Sequence, residues 1–100
     1  MRQDYAEAAK WYHKAAGWGF AEAQTNLGIM YYTDLGVPKD NIQALMWLHL
    51  ATSGYPASEK AKWEKAGKIR DISASKMTPA QIAKVQRLAR EWKPKTALNL

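Results

Sequence analysis

Two stretches of the chain match one another at a spacing of 36 residues. "DYAEAAKWYHKAAGWGF" (4–20) lies over "DNIQALMWLHLATSGYP" (40–56), bringing Asp4 onto Asp40, Ala8 onto Ala44, Trp11 onto Trp47, His13 onto His49 and Ala15 onto Ala51. Tryptophan is rare, so a Trp match flanked by Ala and His matches in one register is hard to reach by chance. Self-similarity at a period of about 20–50 residues marks stacked supersecondary units, each burying its apolar face on the next.

Each matched copy reads as a helix. Asp4 and Asp40 are good N-caps, since a carboxylate accepts from the free amides of a first turn. In the second copy Ile42, Leu45, Leu48 and His49, with Ala44, Trp47 and Ala51, recur at the spacing of a buried helical stripe. Gly17 and Gly54 stand where a left-handed residue would end each helix. Between the copies, residues 21–33 form a second helix, with Ala23, Leu27, Met30 and Tyr31 on one face and Gly28 beside them. A helix-interior glycine costs about 1 kcal/mol relative to alanine. Keeping one there implies that another backbone comes close. "TDLGVPKD" then supplies a turn, with Gly36 for an unusual backbone angle, Pro38 to block helix and Asp40 to begin the next one.

After Pro56 the pattern changes. Residues 57–74 read as a lysine-rich helix with a narrow stripe of Ala61, Trp63, Lys65, Ala66 and Ile69. Residues 79–92 follow, opened by Thr78, Pro79 and Gln81 as a capping box and carrying Ile82, Val85, Leu88, Ala89 and Trp92 at helical spacing. Charged helices with one apolar face suit the end of a helical array, where a capping element must meet water.

Composition narrows the function. The 100 residues include no cysteine, which excludes disulfides, thiol catalysis and thiolate metal sites. No apolar run approaches the length needed to cross a bilayer, and no apolar signal core opens the chain, so a cytoplasmic location is expected. The net charge of +6 resides in the C-terminal part: residues 1–56 hold four Lys/Arg and five Asp/Glu, residues 57–100 eleven and four. This basic surface could dock on nucleic acid or an acidic protein. However, Glu59, Glu64, Asp71 and Glu91 are mixed into it and no reading element accompanies it, so nucleic acid is not the expected partner. His13 and His49 are the only histidines, too few ligands for zinc. No nucleophile–base set, phosphate loop or paired-carboxylate motif is present, and neither an enzyme nor a cofactor is expected.

The motif residues Ala23, Leu27-Gly28, Tyr31, Gly36-Val37, Asp40, Ala44, Trp47, Ala51 and Gly54 resemble the Sel1-like repeat, a relative of the tetratricopeptide repeat. The resemblance covers one complete repeat (21–56). Residues 4–20 look like the second helix of a preceding repeat, and 57–93 are similar to the C-terminal end common in bacterial proteins of this type. Asp34 replaces the family's usual first loop glycine, and Leu48 and Leu50 replace the usual aromatic and basic residues. The resemblance implies an all-α, short α-solenoid of antiparallel helix pairs over residues 1–95, with a C-terminal cap and a flexible tail at 96–100. It also implies a non-enzymatic scaffold that binds a protein or peptide. Relatives credited with catalysis are cysteine-bridged, and that activity is not carried over.

Glu22, Thr25, Asn26, Ile29, Tyr32 and Thr33 would then line the concave partner-binding surface, where the Asn26 amide could both donate to and accept from a peptide backbone. The first helix lacks a partner on one side, leaving Tyr5, Trp11 and Tyr12 to be covered, most simply by a second copy in a homodimer. Trp47 and Tyr31 are expected in the core.

Overall fold

A computed structural model describes residues 4–95; the tail expected at 96–100 lies outside the described residues. Among these residues the chain folds as five α-helices and no strand: α1 (Tyr5–Gly17), α2 (Ala21–Thr33), α3 (Asn41–Gly54), α4 (Lys60–Ser75) and α5 (Pro79–Glu91). A 3₁₀ turn at Ala57–Glu59 replaces the first turn expected of the fourth helix. The helices stack as a short solenoid, with α1 on α2, α2 on α3, and both α4 and α5 on α3.

Local chemistry sets the helix starts. The Asp4 carboxylate accepts from the Glu7 amide and Asp40 from the Gln43 amide, each at 3.0 Å. Thr78 and Gln81 close the expected capping box, with hydrogen bonds of 3.2 and 2.9 Å, and Pro79 opens the helix without needing an amide partner.

The helix ends differ from expectation. Neither Gly17 nor Gly54 is left-handed; each is the last residue of its helix, and the positive φ angles belong to Gly19 (96°), Gly36 (80°) and Asp34 (60°). The short 18–20 turn bends two residues later, at Gly19. Asp34 ends α2 as a left-handed cap, a conformation that a short polar side chain tolerates, and its carboxylate accepts from the Lys39 amide at 3.0 Å. Gly36 has a second requirement, because a side chain there would run into the backbone carbonyl of Tyr5.

The core centres on α3, which buries Ala44, Leu45, Met46, Trp47, Leu48 and Ala51. Met46 lies outside the expected stripe and is buried as well, because α2, α4 and α5 all pack on α3. On α2, Gly28 is the point of closest approach: a Cβ built there would lie 2.8 Å from Leu48 Cγ and 3.0 Å from the Ala44 carbonyl oxygen. Leu27 and Leu48 are fully buried beside this crossing. Their burial contributes about 1.5–3 kcal/mol each, which outweighs the propensity cost of the glycine. On α4 the buried positions are Ala66 and Ser73, whereas Ala61, Lys65 and Trp63 face outward, so the expected stripe lies further along the helix. Trp63 instead donates its indole N–H to the Thr52 carbonyl at 3.0 Å.

Helix α5 stops one residue early and Trp92 turns back into the core. Its ring meets Trp47 edge-on at 6.1 Å, Trp47 meets His13 at 6.1 Å, and His13 Nε2 shares a 2.8 Å hydrogen bond with the Tyr31 hydroxyl. The Lys95 amide then donates to the Gly17 carbonyl at 2.8 Å, fastening the segment after α5 to the end of α1. Five helices are thereby tied together at their ends as well as through neighbours.

Two outcomes follow from this packing. Gly36→Ala will lower the denaturant midpoint, because it combines an unfavourable φ with a backbone clash; an unchanged midpoint would contradict the loop geometry. Burial first, and then the charge of Lys95 or Arg70 respectively, holds His13 and His49 below their ordinary pKa of 6.5. The unfolded chain therefore takes up protons first on acidification, so this stability is complete above about pH 6.5 and falls as the pH drops through that value. The melting temperature should fall between pH 7.5 and 5.5, and replacing both histidines with glutamine should flatten that profile. A flat profile in the parent chain would contradict the packing of both rings.

Candidate functional site

The N-terminal edge of the stack carries a groove between α1 and α2. Asp4, Tyr5, Ala8 and Tyr12 form one wall, Asn26, Ile29 and Met30 the other, and Leu35 closes one end, around a volume of about 380 Å³. That size falls within the range of ligand-binding clefts. Tyr5 and Leu35 are large side chains left substantially open to water. Among the described residues no Lys or Arg lines the groove. Its polar groups are the two phenols, the Asn26 amide and the Asp4 carboxylate, which is already engaged in capping α1.

This groove joins parts of two separately expected surfaces and divides the rest of both. From the expected concave face it takes Asn26 and Ile29. From the expected self-association face it takes Tyr5 and Tyr12. Trp11 is 61% exposed but stands on the adjoining flank of α1, with Lys10, Lys14 and Val37, and Lys14 Nζ lies 5.0 Å from its ring centre.

The remaining four residues go elsewhere. Thr25 is a correction: it is buried, its hydroxyl 3.0 Å from the Ala21 carbonyl and 2.7 Å from the Tyr55 hydroxyl, so it braces the helix and lines no surface. A threonine mid-helix satisfies its hydroxyl in this way when no water reaches it. Glu22 reaches across to α4 and accepts from Lys62 at 3.1 Å. That hydrogen bond and the neighbouring Glu59 hold the Lys62 pKa above its ordinary value. Tyr32 lies beneath Lys39 and Lys76, whose ammonium groups are 5.9 and 5.3 Å from its ring centre. Thr33 is exposed and donates to the Ile29 carbonyl at 2.7 Å.

Sequence reasoning missed Ala8, Met30 and Leu35 as lining residues and read Asp4 only as an N-cap. Two signals were available. Leu35 is a large apolar residue inside a Gly/Pro loop, and Ala8 and Tyr12 occupy the repeat positions of Ala44 and Leu48, which receive α2.

The basic surface expected of the C-terminal part is interrupted by acid. Lys60 lies 4.0 Å from Glu64, Lys62 pairs with Glu22 and Glu59, Arg70 with Asp71 at 3.1 Å, and Arg87 lies 4.0 Å from Glu91. Exposed pairs of this kind add little stability, but they break up the positive field. Among the described residues no group of three or more His, Asp or Glu side chains is arranged to hold a metal ion, and no helix is long and apolar enough to cross a membrane.

Comparison with known proteins agrees with this architecture. The Sel1 repeat family model matches residues 1–17 and 21–54, together half of the chain. Among solved structures, a protective antigen present in uropathogenic Escherichia coli strains and displaying an SLR fold is similar at 30% identity, with a TM-score of 0.77 over 92% of this chain. The chain spans 18% of that antigen's length. No curated protein matches. Repeats of this fold mediate protein–protein interaction and are typically non-enzymatic. The repeat register, the helical stack and these matches agree: the chain belongs to the Sel1-like repeat family.

Proposed function

We propose that this chain is a non-enzymatic protein–protein interaction module that holds a peptide or protein partner in the groove between α1 and α2. The observation that carries this reading is the groove itself, where Tyr5, Tyr12, Ile29 and Leu35 present apolar surface around the Asn26 amide. Tyrosine suits such a face, because it buries a large ring at low entropic cost while its hydroxyl stays wet. Among the described residues the lining pairs no nucleophile with a base, and its apolar face suits binding. Among the described residues it also lacks the cations that a phosphate backbone would require.

Selection from a random peptide library on the immobilised chain tests this reading, with Tyr5→Asp and Asn26→Arg as separate counter-screens. Both positions are at least partly open to water, so the variants should keep the parent circular dichroism spectrum and melting curve. Selected peptides should bind the parent chain at least tenfold more tightly than either folded variant, and should hold on between 50 and 300 mM salt. Peptides that bind parent and variants alike would contradict the groove. Affinity that collapses with added salt would favour the basic C-terminal surface instead.

A further inference from the structure

The repeat register says more about what the groove can hold. Helix α2 sits on α3 by placing Gly28 against Ala44 and Leu48. Thirty-six residues earlier, the corresponding positions on α1 are Ala8 and Tyr12, and both line the open groove. The two helices share more than sequence: each is capped by an aspartate whose carboxylate accepts from the amide three residues on, at 3.0 Å in both. The floor of the groove thus repeats the surface on which α2 rests, one helix earlier in the stack.

The other wall follows the same register. Against α2, helix α4 presents Lys62, which takes the Glu22 carboxylate at 3.1 Å. Asn26 on α2 stands 36 residues before Lys62 and faces the open groove. An occupant related to α1 as α2 is to α3 would bring its sixth residue before the small one over Asn26, as Glu22 precedes Gly28.

Resting on the interaction reading above, we propose that the groove seats an amphipathic helix of a partner protein, antiparallel to α1, with a glycine or alanine over Ala8 and Tyr12. The small residue is required because two helices approaching as closely as α2 and α3 leave no room for more. Asn26 makes the seat prefer a neutral hydrogen-bonding residue where the internal interface uses a carboxylate. A second copy of this chain is a poor source of such a helix, because its own Gly28 is already buried under Leu48.

The probe is a synthetic, helix-stapled peptide of residues 20–35, the chain's own example of the required shape, titrated against the full chain by fluorescence anisotropy. Saturable one-to-one binding is expected. A Gly28→Leu change in the peptide, or Ala8→Trp in the folded protein, should weaken it at least tenfold. Asn26→Lys in the protein should tighten it about two- to fivefold, the range of an exposed ion pair, and only while the peptide keeps its glutamate; the Glu22→Gln peptide should lose that gain.

Equal binding of the Gly28→Leu peptide, or indifference to Asn26→Lys, would overturn the register. Failure of the peptide where library-selected ligands still bind the groove would overturn the helix seat alone and leave the interaction module standing. A dimer of the parent chain in light scattering, dissolved by Asn26→Arg, would give the groove to a second copy and overturn the proposal.

Discussion

The crossing of α2 over α3 at Gly28 is the contact on which the rest of the fold depends. Its closeness lets Leu27 and Leu48 leave water completely, and it fixes the spacing at which the next helix can stack. Helix α3 is then covered on its remaining sides by α4 and α5, so a chain of this length keeps one continuous core around a single apolar helix. The aromatic series from Tyr31 through His13 and Trp47 to Trp92 carries that core to the other end of the molecule. The Lys95–Gly17 hydrogen bond closes it there.

The same geometry explains why a groove exists at all. A stacked repeat buries each unit on its neighbour, so a helix of the type of α1 carries a receiving surface on one side. Between Ala8, Tyr12, Asn26 and Ile29 that surface is open among the described residues. The interaction reading and the helix-seat inference are therefore consequences of the core's register, expressed at its N-terminal edge. The chemistry of the described lining, apolar around the Asn26 amide with no Lys or Arg among the described residues, fits a polypeptide better than a nucleic acid.

Much of this was legible in the sequence because it rests on local rules. Capping residues, the Gly/Pro loop and the 36-residue match located all five helices within a few residues, and Gly28 announced the close crossing. What was not legible depends on three-dimensional surroundings. Met46 lay outside the stripe read from periodicity, but it is buried because α2, α4 and α5 all pack on its helix. Gly17 and Gly54 looked like left-handed caps, yet after α1 the positive φ belongs to Gly19, and α3 ends at Tyr55 in an extended conformation. Thr25 shares a helix face with surface residues but finds Tyr55 across the stack, a contact thirty positions away that no short-range pattern encodes. The groove was visible only in halves, since Asn26 and Tyr12 had been assigned to different surfaces.

The measurement that tests the account most directly is the unfolding free energy of Gly28→Ala, by chemical denaturation, alone and with Leu48→Ala. If a Cβ at position 28 would lie 2.8 Å from Leu48 Cγ, alanine should destabilise by about 1–3 kcal/mol despite gaining about 1 kcal/mol in helix propensity. Part of that loss should disappear once Leu48 is truncated, giving a non-additive double-mutant cycle. A Gly28→Ala chain that is as stable as the parent or more so, with additive effects, would mean that the two backbones do not meet at this residue. The core, and the seat inferred from it, would then have to be rebuilt.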